Sequence, residues 1–316
     1  MTESTKTARQ ARMLINRVRK KRRALRPYLK RNDITCYRVY DRDIPEIPLI
    51  VDWYEGRLVV WLHGDPHHIV DPDGWLRAMG EALRSAFEVD TPQLFLKQRR
   101  RAQGGTQYGA KGRLEALETV HEGGLSFLVN LEDYVDTGLF LDHRTTRGMV
   151  RGMSRDKAVL NLFAYTGAFS VYAADGGAGA VTTVDLSNTY LDWARQNMRL
   201  NGFTGEAYRF VRDDVLSALA ERRVDGKYDI IVLDPPTVSK SKRMLRSFDV
   251  QHDHGLLINR LLERLNRGGA IIFSTNYSKF RLSDDIDADI REITPKTCPE
   301  DFKARPAHRC WRITHP

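Results

Sequence analysis

The chain has 316 residues, three cysteines and a formal net charge of +9 at neutral pH. That length exceeds one ordinary core and suggests two domains with an appendage. No apolar run is long enough to span a bilayer, and the opening MTESTKTARQARM lacks the apolar core of a secretory signal, so a soluble cytoplasmic protein is expected. Cys36, Cys298 and Cys310 are odd in number and share no CxxC spacing. They read as reduced structural thiols, with neither a disulfide framework nor a metal site implied.

The positive charge is concentrated at the start. Residues 1–31 hold twelve Lys or Arg against one acid, Glu3, leaving 38 basic and 40 acidic residues in the rest. Within this stretch Leu14, Val18, Leu25 and Leu29 recur at helical spacing among Arg17, Arg19, Lys20, Lys21, Arg22 and Arg23. The pattern predicts a basic helical arm over residues 1–32, with Pro27 kinking or ending its first helix. A solvated helix docked by its leucine stripe is one reading. The almost unopposed charge favours a second, a polyphosphate partner. A membrane surface fits less well, because no wide apolar face carries Trp or Phe.

Residues 33–132 read as a small α+β module. ITCYRVYDRDIPEIPLIVDWYEGRLVVWL gives short strands broken by Pro and by Glu55-Gly56, a meander. Over residues 73–87, Trp75, Met79, Leu83 and Phe87 share one helical face. LFLKQRRRAQ, LEALETVHE and LSFLVNL follow as strands, the last two joined as a hairpin at Glu122-Gly123-Gly124.

From about residue 133 to 316 the rhythm becomes that of a parallel sheet with crossover helices. AVLNLFAYTG is a strand that turns at Gly167, and AVTTVDLS a strand ending in Asp185. NTYLDWARQNMRLNGF is a helix expected to face Leu191, Ala194, Met198 and Leu200 inward. AYRFVRDDV ends at Asp213-Asp214, and YDIIVLDPP at Asp234-Pro235-Pro236. Acids at the C-terminal ends of successive strands lie where open α/β sheets bind ligands. Asp185 stands 18 residues beyond Gly167, the distance at which an acid reaches a ribose diol, though it could equally cap the next helix. Asp214 could accept adenine amino hydrogens. A dinucleotide enzyme would carry GxGxxG where this chain offers one glycine, so a nucleoside cofactor without phosphates fits better.

These acids resemble the cofactor and substrate motifs of class I S-adenosylmethionine methyltransferases. More narrowly, CYRVYD, VNLEDYVDTGLFLDHR, NLFAYTG, TTVDLSNTYLDWA, DPPTVSKSKRM and FDVQHDH resemble the C-terminal, RlmK half of the fused RlmKL-type 23S rRNA methyltransferases, over nearly the whole chain. The resemblance implies a Rossmann-like domain with a seven-stranded sheet, S-adenosylmethionine as cofactor, and guanine N7 in helix 74 of 23S rRNA as target. The resemblance does not extend to the N2-methylating N-terminal half of the fused enzymes, so whatever RNA grip that half provides must come from elsewhere, and whether a separate partner supplies it stays open. Monomer and dimer both remain open.

The resemblance also distributes roles. Asp185, with Leu186 beside it, would hold the ribose hydroxyls, and Asp214 the adenine. Arg144 in FLDHR would pair with the methionine carboxylate, its alternative being a salt bridge to Asp142 or Asp136. Gly167 would admit the amino acid part of the cofactor, and Tyr165 would be a pocket wall or core. Pro235 and Pro236 stiffen the turn after Asp234, leaving Asp234 and Thr237 to bond the base edge. Lys240, Lys242 and Arg243 lie where flanking phosphates would run, and Phe248, Tyr277 and Phe280 are candidates to stack on an extruded base or to serve as core.

Two rivals remain. A cytosine C5-methyltransferase needs a thiol, and AIIFSTNYS places Thr275 and Asn276 where related enzymes carry it. A non-catalytic RNA-binding assembly factor would not need Asp185, Asp214 and Asp234 all present. A guanine N2-methyltransferase is a further alternative within the same fold.

Overall fold

The computed structural model describes residues 3–64, 69–88, 90, 93–98, 117–132, 136–240 and 246–316. The chain divides into two compact units, Met1–Gly124 with Val129–Thr137, and Leu125–Leu128 with Gly138–Pro316.

In the first unit, α1 (Glu3–Arg31) continues through Pro27, so the proline does not end the helix. An interior proline removes one backbone hydrogen bond, and docking of the helix on both sides of it offsets that loss. Leu14, Val18 and Leu25 are buried in one cluster with the strands that follow, while Leu29 is half-buried at its edge. The leucine stripe therefore makes the basic helix part of this unit's core. Strands β1 (Cys36–Asp41), β2 (Leu49–Tyr54) and β3 (Arg57–Leu62) form the antiparallel meander. Glu55 and Gly56, at φ 45° and 96°, make its tight turn. Helix α2 (Pro72–Phe87) starts at Asp71, whose side chain accepts from Gly74 N at 3.0 Å, and it buries Trp75, Met79, Leu83 and Phe87. It carries the chain back to lay β4 (Leu94–Gln98) parallel to β3. Strands β5 (Glu118–Glu122) and β6 (Leu125–Val129) form the expected hairpin as a separate two-stranded ladder, and the boundary between units falls at its turn.

The second unit opens with a 3-10 turn over Leu141–His143 and α3 (Arg144–Met153). Then come β7 (Ala158–Leu162), α4 (Ala168–Asp175), β8 (Ala180–Asp185), α5 (Asn188–Leu200), β9 (Tyr208–Arg212), α6 (Val215–Ala220) and β10 (Tyr228–Leu233). The short strands β11 (Val238–Ser239) and β12 (Phe248–Asp249) pair antiparallel before α7 (Val250–Leu262) and the long β13 (Leu265–Thr275). The chain ends with β14 (Asp289–Glu292), α8 (Thr294–Thr297), a 3-10 turn over Glu300–Phe302 and β15 (Arg309–Thr314).

Seven strands form one sheet in the order β14-β15-β13-β10-β7-β8-β9, all running in one direction except β15, which is antiparallel to both its neighbours. This is the expected Rossmann-like α/β architecture. The chain moves outward from β7 through β9 and returns to the other side of β7 as β10, so the switch point lies between the ends of β7 and β10, where such sheets bind ligands. In α5 the buried face is Leu191, Trp193, Ala194, Asn197 and Met198. Leu200 is 44% exposed, not inward as expected. It lies nine residues beyond Leu191, half a turn out of phase at 3.6 residues per turn.

Candidate active site

The loop leaving β7 is built from unusual backbone. Phe163, Tyr165 and Gly167 have φ of 53°, 52° and 73°, a left-handed conformation that costs side-chain-bearing residues energy. Asp185, at the end of β8, holds this loop by accepting Tyr165 N on Oδ2 at 2.9 Å. Its Oδ1 accepts Ser187 N at 2.8 Å. The cap of α5 is Ser187 itself, whose Oγ accepts from Tyr190 N, so Asp185 is not spent as a cap. Burial raises the Asp185 pKa to about 6 despite its backbone donors. A carboxylate so placed gains from further donors, which a ribose diol would supply. Gly167 has a second reason to be glycine, because a Cβ there would lie 2.7 Å from the Cβ of Ala194 on α5.

Beside Asp185 opens a cavity of about 380 Å³, lined by Leu186, Arg212, Asp213, Asp214, Ser217, Glu221 and Arg223. Its volume is on the scale of small-molecule sites. Asp214 both lines it and caps α6, with Oδ2 accepting Ser217 N at 3.0 Å and Ser217 Oγ at 2.9 Å. The half-buried Tyr165 ring packs at 5.1 Å from Phe140 and 4.6 Å from Tyr190, and it does not line this cavity.

At the end of β10 the geometry is different. The Asp234 side chain is 26% exposed, with Oδ1 accepting Ser274 Oγ from β13 at 2.6 Å and Oδ2 3.3 Å from His143 Nε2. Pro235 is buried and Pro236 exposed. Thr237 donates its hydroxyl to Asn276 Oδ1 at 2.8 Å, and its carbonyl accepts Val250 N at 3.0 Å, which clips the motif to the ends of β13 and α7. His143 stacks on His308 with centroids 4.2 Å apart and planes 14° apart, and His308 Nδ1 lies 2.8 Å from Asp142 Oδ2. Asp142, His143 and His308 bring ligand-type atoms within 4.8 Å of one another. Nearly parallel stacked rings cannot both aim in-plane lone pairs at one ion, so the cluster reads as a hydrogen-bonded support. His143, His308, Ser274 and Asn276 escaped sequence reading. FLDHR drew attention to Arg144, one residue past His143, and no spacing ties any of these residues to Asp234.

Several expected roles are corrected. Arg144 makes a two-pronged pair with Asp301, at 3.1 and 3.2 Å, in which the aspartate side chain is 0% exposed. A carboxylate that deeply buried requires its cation, so Arg144 is committed to the fold and not to a methionine carboxylate. Phe248 and Phe280 are buried in the core, Phe280 at 4.6 Å from the His254 ring, and neither can stack on a base. Tyr277 is half-buried against the same core. Lys240 is exposed, while Lys242 and Arg243 lie outside the described residues.

In the first unit the cations of α1 divide. Arg19, Lys20 and Arg23 are exposed. Arg17 and Lys21 reach Asp43 at 2.7 and 3.8 Å, and the Arg22 guanidinium lies 4.1 Å from the Phe87 ring centroid. Arg22, Arg23, Arg26 and Lys30 line a groove of about 560 Å³ with Tyr37.

The thiols do not meet the chemistry of a nucleophile. Cys310 is fully buried, and burial pushes its pKa to about 12. Burial likewise raises Cys298 to about 11.

Comparison with known proteins fits this geometry. The profile of the S-adenosylmethionine-dependent methyltransferases matches residues 37–295. The ribosomal RNA large subunit methyltransferase K/L of Methylococcus capsulatus is 45% identical over 320 aligned positions, covering 98% of this chain and 43% of that protein. Its namesake in Syntrophotalea carbinolica is 46% identical over 308 positions, covering 96% and 43%. The chain thus spans less than half the length of these curated relatives. Among solved structures, SMU.776, a putative methyltransferase complexed with SAH, superposes with a TM-score of 0.76 at 25% identity, covering 96% of this chain and 81% of that one. A putative SAM-dependent methyltransferase from Streptococcus mutans gives a TM-score of 0.75 at 25% identity, with the same coverage. S-adenosylmethionine is the cofactor. The profile covers most of the chain and its motifs fall on the strand ends where the site is built, so the protein belongs to the S-adenosylmethionine-dependent methyltransferase family.

Proposed function

We propose that the chain methylates N7 of a guanine in 23S rRNA, in the helix 74 region. The observation that carries this reading is Asp234 at the ligand-binding edge of the sheet, a carboxylate whose Oδ1 takes the Ser274 hydroxyl and whose Oδ2 lies 3.3 Å from His143 Nε2. An acceptor pair of this kind matches adjacent donors on a base, and guanine alone among the four bases presents two, N1–H and N2–H, on its Watson–Crick edge. N7 then lies on the opposite side of the base with its lone pair exposed. That lone pair is unprotonated near neutral pH and needs no general base, so catalysis reduces to alignment. Bound S-adenosylmethionine supplies an electrophilic methyl group. Asp185 orients the ribose, Asp214 and Leu186 line the adenine cavity, and the Pro235-Pro236 turn keeps Asp234 and Thr237 from collapsing into it.

The relatives named as large-subunit rRNA methyltransferases support RNA as substrate. The exposed Arg19, Lys20 and Arg23 on α1, with Lys240 and the Lys242 and Arg243 that follow it in sequence, would meet phosphates. C5 chemistry on cytosine is disfavoured by Thr275 and Asn276 at the end of β13 and by the buried Cys310. N2-methylation of guanine is the competing reading, since an acceptor such as Asp234 could also hold an amino group. Mass-spectrometric mapping of 23S rRNA from a strain lacking the gene, with and without its restoration, separates them. Restored 7-methylguanosine supports the proposal, and restored N2-methylguanosine or 5-methylcytidine overturns it.

A further inference from the structure

Asp234 is the acid closest to the proposed chemistry, yet what holds it lies far away in sequence. Its Oδ1 takes the Ser274 hydroxyl from β13, and its Oδ2 faces Nε2 of His143 from the turn before α3. The His143 side chain is 6% exposed and that of His308 2%. Among the described residues, none makes a hydrogen bond to the buried Nδ1 of His143. A proton on Nδ1 would be an orphaned buried donor, whereas a proton on Nε2 faces Asp234 at 3.3 Å and Asp142 at 3.8 Å. A neutral ring is therefore favoured with its hydrogen on Nε2, the nitrogen that faces Asp234 Oδ2 at 3.3 Å. Behind it the His308 ring lies flat against His143, fixed in turn by Nδ1 donating to Asp142.

We propose that His143 is a positioning residue for methyl transfer: its Nε2–H and the Ser274 hydroxyl hold the two oxygens of Asp234 so that the outward lone pairs meet the base, and the His308–Asp142 pair keeps the His143 ring in place. The proposal rests on the reading of Asp234 as the base-holding acid. It gives the stacked histidines a use that neither cofactor binding nor the alignment of the methyl group requires.

Protonation would break this arrangement. A second proton on His143 must go to Nδ1, which has no acceptor among the described residues, so the ring would have to move and release Asp234. The charged or titratable groups bearing on His143 are Asp142 and Arg147 nearby in sequence, His308 from the segment before β15, and Asp234 from the end of β10. Burial holds the His143 pKa below the ordinary histidine value, against the raising charges of Asp234 and Asp142. For His308 burial also opposes the charged form, but the hydrogen bond and charge of Asp142 outweigh it and raise the pKa.

Single-turnover methylation of an unmodified 23S rRNA transcript, with S-adenosylmethionine saturating, tests this. His143→Leu should slow transfer by about 10- to 100-fold while cofactor affinity changes by less than about threefold, because only an interaction realised in transfer is lost. His143→Gln keeps an amide donor near Nε2 and should recover most of the rate while abolishing the part of the acid-side fall that comes from protonating His143. In an Asp234→Ala background, His143→Leu should add nothing. Equal loss in the Leu and Gln variants, or loss in cofactor affinity matching the loss in rate, would make the residue merely structural. If Asp234→Ala is slow and His143→Leu is not, positioning fails while the base-holding role stands; if Asp234→Ala transfers at the wild-type rate, that role itself fails. Independently of any substrate, long-range ¹H–¹⁵N NMR of the histidine rings in the wild-type protein should show His143 protonated on Nε2, and an Nδ1–H ring would overturn the proposal.

Discussion

The proposed cofactor end and the proposed base end of the sheet hold their acids by opposite means. Asp185 is bonded by Ser187 two residues on and by Tyr165 in the loop after the neighbouring strand, and Asp214 by Ser217 three residues on. Asp234 is steadied by Ser274 and His143, 40 and 91 positions away in sequence. Local wiring makes the cofactor end a property of each strand and its following loop, whereas distant wiring makes the base end a property of the assembled domain. Changes at the first should alter binding; changes at the second should alter transfer or the fold.

The largest expected effects lie with the distant partners. Asp234→Ala should lower the single-turnover rate at least 100-fold with cofactor affinity within about threefold, read by rapid-quench kinetics and calorimetric titration. An equal loss of affinity would erase the distinction between the two ends. Arg144→Ala should act on the fold instead, since it strands the buried Asp301 carboxylate, and about 3–5 kcal/mol of stability should be lost on denaturant unfolding. A stable variant with weakened cofactor binding would return Arg144 to the site.

At the cofactor end Asp185→Ala should weaken S-adenosylmethionine binding by at least about 1.5 kcal/mol, the scale of hydrogen bonds to a charged group. The pKa of Asp185, raised to about 6, adds a pH signature. Ribose hydroxyls donate to the carboxylate form, so affinity should weaken as pH falls below about 6. Because the folded value lies above the ordinary one, this group's contribution to apo stability is present at low pH and is lost as pH rises from about 4 through about 6. The cofactor should therefore raise the unfolding temperature more at pH 7.5 than at pH 5.5, and Asp185→Ala should flatten that difference. An unchanged difference would detach the effect from Asp185.

How much of this was legible follows the same division. The strand-end acids, Gly167 and the parallel rhythm lie in short stretches whose periodicity and turn residues act locally. The helix of residues 3–31 was visible in its leucine spacing, but its passage through Pro27 was not, because packing on both sides overrides a local breaker. The pairing of Arg144 with Asp301 is not legible, and for Phe248 and Phe280 the choice between stacking and core stays open, because sequence shows residue type and not the partner that buries it. His143 was hidden for the same reason, its partners being brought to it by β10, β13 and the segment before β15.

A smaller effect is expected from the first unit. Deleting residues 1–31 would remove the buried Leu14, Val18 and Leu25, so point variants are the sharper probe. Replacing Arg19, Lys20 and Arg23 together by Ala should reduce the log–log salt slope of RNA binding by about 0.7–0.9 for each phosphate left unneutralised. Replacing Lys21 and Arg22, which face Asp43 and Phe87, should cost stability and leave the slope nearly unchanged. Equal slopes in both variants would show that exposure on α1 does not select the cations that meet RNA.

The central claim, transfer to guanine N7, is tested most directly by strand scission. A 23S rRNA transcript methylated in vitro by the purified chain with radiolabelled S-adenosylmethionine is treated with borohydride and aniline, which cleave at 7-methylguanosine and spare N2-methylguanosine and 5-methylcytidine. Label incorporation accompanied by cleavage at one guanine in the helix 74 region is the predicted result. Stoichiometric labelling of an RNA that stays intact would contradict the account.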